Sequence, residues 1–89
     1  EKIEEYNIIV PSMRLDSIVA QSIGLSRTKT SEVISQGRVF VNAQNCLNNS
    51  KNLKVGDFFT IRGKGRFLIK EQKGNTRKNK IVLVMEKKI

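Results

Sequence analysis

The sequence predicts one small α+β domain, in which two short helices pack on a small antiparallel β-sheet. Residues 14–23 and 27–36 carry apolar side chains at helical intervals, whereas the later segments alternate apolar and polar residues in short runs. The order is a strand, two helices and about four further strands, which is typical of α+β domains. With 89 residues, of which 38% are hydrophobic, the chain has room for one modest core.

The helical pair is bounded by residues with cap and turn chemistry. Ser12 is the predicted N-cap of the first helix, and Gly24 ends that helix because glycine takes a positive φ at little cost. Ser26 is the predicted N-cap of the second helix, which stops at Gly37. Arg14 lies in the first turn of the first helix, where a cation opposes the helix dipole. We therefore expect Arg14 to serve a salt bridge or a partner.

Two β segments flank the helices and a loop follows them. A solvated lead-in at residues 1–5 precedes a strand at residues 6–10. Residues 38–42 alternate with period two, so that Val39 and Val41 are predicted to face the core. Residues 43–52 are rich in Asn and predict a loop with one short strand around Cys46 and Leu47.

The C-terminal third predicts a hairpin, a loop and a closing strand. Strands at residues 58–62 and 67–70 are joined by a Gly-Lys-Gly tip at residues 63–65. A polar loop, a closing strand and a tail then follow at residues 72–80, 81–85 and 86–89, with the turn of the loop at Gly74-Asn75.

Charge and composition favour an anionic partner and argue against catalysis. The net charge is +9, which fits nucleic acid better than an acidic protein or a membrane surface. The chain has no histidine, which removes histidine acid–base chemistry and most zinc sites. We therefore expect no catalytic residue, metal, cofactor or small-molecule substrate. The lone Cys46, expected to be buried or half-buried, indicates a reducing, cytoplasmic setting. No apolar run is long enough to cross a bilayer.

Cations concentrate in two places along the chain. Residues 62–80 contain eight cations and one acid, so this segment alone has a net charge of +7 and predicts a basic region that follows a phosphate backbone. Arg27 and Lys29 lie in the first turn of the second helix, which indicates either an expected anion or ordinary surface charge. Phe40, between Arg38 and Asn42, offers a base-stacking surface unless it packs under a neighbouring loop.

Residues 14–57 resemble the RNA-binding domain named after ribosomal small-subunit protein four, called the S-four domain here. The resemblance rests on Arg14-Leu15-Asp16, Ser26-Arg27, Val33-Ile34, the run from Gly37 to Asn42, and Val55-Gly56-Asp57. Residues 62–67 and 76–81 are similar to the C-terminal part of YlmH-like bacterial and plastid proteins, where this domain ends a longer chain. The chain departs from the family at Thr30, where Ala is usual, and at Ala43, where Gly is common.

The resemblance implies an αL RNA-binding motif over residues 12–70, with the basic loop and closing strand at residues 71–89. It also implies a monomeric, bacterial, ribosome-associated module that binds structured rRNA or tRNA without catalysis. Because the chain begins with Glu1 and not Met, we expect the C-terminal domain of a longer protein. The alternative is an RNA-targeting appendage of an RNA-modifying enzyme or a tRNA synthetase.

The predicted RNA-contacting residues come from the resemblance, from the polar face of the strand at 38–42 and from the basic region. They are Arg14, Ser26, Arg27, Thr28, Lys29, Gln36, Arg38, Phe40, Asn42, Arg62, Lys64, Arg66, Arg77 and Lys78.

Overall fold

Six antiparallel strands form one sheet, and two helices pack against one of its faces. The computed structural model describes residues 2–88. The elements are β1 (Ile3–Val10), α1 (Leu15–Ile23), α2 (Arg27–Ser35), β2 (Val39–Val41), β3 (Gln44–Asn45), β4 (Phe58–Ile61), β5 (Gly65–Asn75) and β6 (Ile81–Lys88). The strand order in the sheet is β1-β6-β5-β4-β2-β3. The predicted α+β class and antiparallel pairing are therefore confirmed.

The start of α1 is held by a distant loop and not by the predicted cap. The backbone N–H of Leu15 donates to the carbonyl of Lys51 at 2.8 Å. That of Asp16 donates to the carbonyl of Asn49 at 3.1 Å. Ser12 lies before the helix start and makes no cap bond, so its predicted role is wrong. Carbonyls far away in sequence satisfy the first N–H groups of α1, and no local pattern announces such an arrangement.

The junction between the helices follows the prediction. Gly24 takes a left-handed conformation with φ of 67°, and its N–H donates to the carbonyl of Ala20. Ser26 is the N-cap of α2, and its Oγ accepts a hydrogen bond from the N–H of Lys29 at 3.2 Å. A three-residue connection, Gly24-Leu25-Ser26, thus joins the two short helices.

The core lies between the helical layer and the inner face of the sheet. Phe59 and Phe67, opposite each other on β4 and β5, stack with ring centroids 5.1 Å apart at its centre. Cys46 is buried at the edge of this core, as predicted. The fully buried helical residues that cover the sheet are Leu15, Ile18, Val19 and Ile34.

β1 and β6 are longer than predicted. β1 starts at Ile3, which pairs with Lys88, so most of the predicted lead-in and tail is paired strand. Glu1 and Ile89, the ends of those two segments, lie outside the described residues. The pairing is invisible to local patterns because charged side chains on an outer strand hide its β character.

β5 likewise runs through most of the predicted polar loop. It extends to Asn75, with irregularities between Ile69 and Glu71 and between Gln72 and Gly74. Gly74 therefore lies in a bulged strand and not in a turn. The connection to β6 is limited to residues 76–80, where the N–H of Thr76 donates to the carbonyl of Lys80 at 2.7 Å.

β3 is also displaced from its predicted place. It comprises Gln44–Asn45 and pairs with β2, whereas the prediction centred it on Cys46 and Leu47. Neither α1 nor α2 has the length and apolar character needed to cross a bilayer.

Candidate nucleic-acid interface

The first turn of α2 exposes two cations beside free backbone donors. Arg27, Thr28 and Lys29 are all exposed. The first N–H groups of a helix have no acceptor within the helix. In α2 the N–H of Lys29 donates to the Ser26 hydroxyl. Among residues 2–88, no carbonyl or side chain accepts the N–H groups of Arg27 and Thr28, which lie at the positive end of the helix dipole. This arrangement suits a phosphate oxygen.

The first turn of α1 is closed in comparison. Arg14 forms a two-point ion pair with Asp16, in which Nε donates to Oδ1 at 3.1 Å and Nη2 donates to Oδ2 at 2.8 Å. Asp16 Oδ1 also accepts the N–H of Ser17 at 2.8 Å. The charge of Arg14 is thereby neutralised inside the domain, although its side chain stays 43% exposed. Of the two helices, α2 has the first turn that is free to meet an anion.

A shallow, open groove lies along the outer side of α2, beside the Asn-rich loop. Its volume is about 520 Å³. Asn49 closes one side, where its Nδ2 donates to Ser31 Oγ at 3.3 Å. The groove is lined by Arg27, Thr28, Ser31, Glu32, Ser35 and Asn49.

Four of these lining residues, Ser31, Glu32, Ser35 and Asn49, were not predicted from the sequence. Ser31 and Ser35 follow Arg27 at intervals of four, which places all three on one stripe of the helix. That spacing was a usable signal. Asn49 offered none, because only the tertiary fold brings its loop to α2.

The β4–β5 hairpin forms a second cationic region, at the C-terminal end of α2. Arg38 and Arg62 are joined through their backbones, since the N–H of Arg62 donates to the carbonyl of Arg38 at 2.9 Å. The Arg38 side chain also donates from Nη2 to the carbonyl of Arg62 at 3.3 Å. Lys64 is exposed at the tip of the hairpin, and Gln36 is exposed at the end of α2. These four polar side chains therefore lie towards one end of the molecule.

The basic region predicted over residues 62–80 is not one surface. The hairpin tip precedes β5 and the loop containing Arg77 and Lys78 follows it. β5 has 11 residues, so the two ends are separated by roughly 30 Å at the usual rise per residue. Cations that are close in sequence are thus divided between opposite ends of the sheet.

Comparison with known proteins decides the family. A family model described as the S4 domain, the S-four domain of the resemblance, matches residues 13–59, which is more than half of the chain. The chain belongs to the S4 domain family. The S4 domain is a non-catalytic RNA-binding module.

One curated relative extends the comparison beyond the S4 core. It is the Ribosome-associated protein quality control protein P2 of Bacillus subtilis (strain 168), which is 33% identical over 78 residues. The match covers 88% of this chain and 30% of the relative, so the chain spans about 30% of that protein's length. The predicted resemblance to YlmH-like proteins is thereby confirmed.

Asn42 is engaged inside this S4 domain. Its backbone has φ of 49°, at the turn between β2 and β3. Its Nδ2 donates to Asp57 Oδ1 at 3.2 Å. Its Oδ1 accepts the N–H of Phe58 at 3.2 Å. The side chain that the resemblance assigns to RNA therefore ties the turn to the start of β4.

An ion-pair cluster on the helix-free face of this S4 domain holds two acids. Lys70 Nζ lies 2.7 Å from Glu5 and 3.7 Å from Glu86. The Lys70 ammonium lowers the pKa of Glu5, through a hydrogen bond and then through its charge, and Glu5 in turn raises the pKa of Lys70. The single positive charge of Lys70 thereby neutralises part of the acidic charge on the β1 side of the sheet. Within residues 2–88, no cluster of three His, Cys, Asp or Glu side chains is arranged to hold a metal ion.

Proposed function

We propose that the chain binds structured RNA, either rRNA or tRNA on ribosomal particles, through the first turn of α2 and the adjoining groove. The observation that carries the proposal is the exposed set of Arg27, Thr28 and Lys29 at a helix N-terminus with free donors. Phosphate contacts of this kind position a protein on RNA and do not depend on base sequence.

The groove supports folded RNA in particular. Double-stranded A-form RNA presents phosphates and 2′-hydroxyls across a wide, shallow minor groove. The hydroxyls of Ser31 and Ser35 and the amide of Asn49 lie next to the cations, where they suit 2′-hydroxyl partners. Charge and hydrogen-bonding groups are thus combined along one side of α2.

The other predicted residues extend this surface unequally. Gln36, Arg38, Arg62 and Lys64 continue it at the far end of α2, where cations add affinity without base readout. The loop with Arg77 and Lys78 reaches a separate stretch of RNA. Arg14 contributes weakly because Asp16 already neutralises its guanidinium.

The proposed cellular setting is inferred from the name of the Bacillus subtilis relative. The name of the Bacillus subtilis protein describes a ribosome-associated factor, so we propose a monomeric, ribosome-linked role in the bacterial cytoplasm for the present protein. The alternative is an RNA-targeting module joined to a catalytic domain. The match covers only 30% of the relative, so a longer chain would accommodate such a catalytic domain. Sequencing the whole gene separates the two proposals.

Charge reversal at the first turn of α2 tests the proposal. The variant Arg27→Glu/Lys29→Glu should weaken binding of a fluorescent hairpin RNA at least roughly tenfold, because cationic contacts and their released counterions are lost. The matched control is Lys2→Glu/Lys73→Glu, which makes the same change in charge at two exposed lysines. Lys73 lies near Glu5 of β1, away from α2. Anisotropy titrations at several salt concentrations give both the affinity and the salt slope.

Two outcomes contradict the proposal. Equal losses in the two double variants would mean that only total charge matters and that α2 is not the site. Hairpin affinity that stays constant between low and physiological salt would exclude phosphate-dominated binding altogether.

A further inference from the structure

We infer that the helix-free face of the sheet, next to the β4–β5 hairpin, binds unstacked bases of single-stranded RNA. The inference rests on the proposed RNA-binding function and adds a second surface with a different RNA preference. This surface, called the sheet patch here, comprises Phe40, Phe58, Thr60, Arg66 and Leu68.

Strand register brings these side chains together. Phe40 is opposite Thr60, and Thr60 is opposite Arg66, so the three form one row across β2, β4 and β5. Phe58 is opposite Leu68 in the next row. Their strand neighbours Val39, Val41, Phe59, Phe67 and Ile69 are buried under the helices, so alternation puts the sheet patch on the opposite face.

Two aromatic rings lie on this face without a covering layer of helices. Phe40 and Phe58 are half-buried, and as diagonal cross-strand neighbours they lie roughly 7–8 Å apart. The guanidinium of Arg66 lies 5.0 Å from the centre of the Phe58 ring. Unpaired RNA bases stack on aromatic rings and on guanidinium planes, and this stacking depends little on base identity.

The charge around the sheet patch selects a polyanion as its occupant. Arg66 stands opposite Lys88 on β6, and the tip residues Arg62 and Lys64 adjoin the same end of the sheet. The neighbouring acid, Glu86, is opposite Leu68, and Lys70, which lies 3.7 Å from it and 2.7 Å from Glu5, compensates part of its charge. The cations around the sheet patch attract a phosphate backbone, whereas they do not stabilise the binding of an uncharged or apolar protein segment.

The far half of the same face has a different character. Ile9 of β1, 48% exposed, is opposite Val82 of β6, and Asn7 is opposite Val84. Cations and aromatic rings are concentrated at the hairpin end, whereas aliphatic side chains dominate here. The contrast supplies a matched control on one sheet face.

The occupant is single-stranded because stacking on a flat sheet requires exposed base planes. In a duplex those planes are covered by neighbouring base pairs. The α2 groove and the sheet patch lie on opposite faces of the domain, so one RNA with a helical stem and an unpaired extension can contact both.

Removing the aromatic rings while keeping apolar bulk tests the inference. In the 89-residue chain, Phe40→Leu/Phe58→Leu should weaken binding of a fluorescent uridine 12-mer roughly fivefold to tenfold, because stacking is lost. Its affinity for the hairpin RNA should fall by a clearly smaller factor than its affinity for the uridine 12-mer. The control Ile9→Ser, on the aliphatic half of the face, should leave both affinities unchanged. Circular dichroism melts check that each variant is folded.

An NMR titration of the wild-type chain tests the inference even if the double Phe variant does not fold. Addition of the uridine 12-mer should shift NMR resonances of β2, β4 and β5 near the sheet patch. Shifts confined to α1 and α2 would overturn the inference, as would single-strand affinity that is insensitive to loss of both rings. Concentration-dependent dimerisation disrupted by the Phe variants would assign the patch to a second copy of the chain instead.

The two proposals fail in different ways. If the hairpin RNA binds through Arg27 and Lys29 but the uridine 12-mer does not bind, the inference alone is wrong. If neither RNA binds, the proposed function is wrong and the sheet patch loses its basis with it.

Discussion

Ala43 occupies a backbone conformation that alanine rarely adopts. Together with Asn42 it forms the two-residue turn between β2 and β3, with φ of 49° at Asn42 and 70° at Ala43. Positive φ at both central positions is typical of a type I′ hairpin turn, which strongly prefers glycine at the second position. The departure from the family at this position therefore leaves the turn in place but strained.

Ala43→Gly should stabilise the domain. Relief of left-handed strain, worth about 1–2 kcal/mol, exceeds the entropy that glycine adds to the unfolded chain, about 0.4–1 kcal/mol. We expect a net gain of about 0.5–1 kcal/mol in the free energy of unfolding, measured by urea titration. Ala43→Val should be destabilising, since a β-branched residue fits this conformation worse. A loss of stability in the glycine variant would contradict the assignment of strain to this turn.

Tyr6 has a buried hydroxyl, and its pKa is raised above that of an ordinary tyrosine. Burial raises the pKa of Tyr6, against a smaller opposing effect of the Ser22 hydroxyl. The two hydroxyls do not complete a hydrogen bond of acceptable geometry, and both are buried without a partner among the described residues. The folded state therefore favours the neutral phenol more strongly than the unfolded state does.

Titration of Tyr6 can be followed directly, because the chain has one tyrosine and no tryptophan. The ultraviolet absorbance change should have its midpoint above the ordinary tyrosine pKa of about 10. Since the folded pKa is raised, the stabilising contribution is complete below about pH 10 and is lost as pH rises through the folded value. Tyr6→Phe should lose less stability over that alkaline range. A midpoint at or below that of free tyrosine would contradict the burial argument.

At the scale of elements, the β4–β5 hairpin depends on a close approach between backbones. Gly65 has φ of 114°, and a Cβ there would lie 2.8 Å from the carbonyl oxygen of Lys88 in β6. Gly63, at the tip, also has positive φ, but its nearest contact would be the Arg38 side chain at 3.7 Å. The two glycines of one loop thus face different constraints.

Gly65→Ala should destabilise the domain by about 2–4 kcal/mol, because strain and a backbone clash coincide. Gly63→Ala should cost only about 1–2 kcal/mol, because strain acts there without the clash. Urea unfolding of both variants measures the difference. Equal effects would mean that β5 and β6 are free to separate at this end of the sheet.

The α2 groove contains one carboxylate that opposes its proposed ligand. Glu32 is exposed and lines the groove together with Arg27. Glu32→Gln should therefore raise hairpin RNA affinity roughly twofold to fivefold at low salt, with a smaller gain at physiological salt because the repulsion is screened. Glu4→Gln on β1 is the matched control, expected to change affinity little. Unchanged affinity in Glu32→Gln would place the RNA elsewhere than along this groove.

At the scale of the whole molecule, the helix–helix junction and the placement of β2 were predictable because their signals are local. Gly24 and Ser26 define the junction between α1 and α2 through conformational freedom and a side-chain cap. The alternation of Val39 and Val41 with Phe40 placed β2 correctly on the core. Each of these features depends on residues within a few positions of one another.

The remainder depends on partners that are remote in sequence. Gly74 resembles a turn residue, yet pairing with Val82 keeps it in a bulged strand. Asn42 belongs to the family motif, but its side-chain amide is hydrogen-bonded to Asp57 and to the N–H of Phe58. The split of the basic segment follows from the length of β5, which could not be read from a run of polar residues. Residue types at the site were thus predictable, whereas their grouping in space was not.

The position of β6 between β1 and β5 has a consequence for how the protein is made. β1 leaves the ribosome early, but its neighbour in the sheet, β6, is synthesised some 70 residues later. At typical elongation rates that delay is on the order of several seconds. During that interval the apolar run from Ile8 to Val10 lacks its partner strand β6. Charged residues beside an apolar segment disfavour aggregation, so we expect Glu4 and Glu5, which lie just before this run, to protect the nascent strand until β6 emerges.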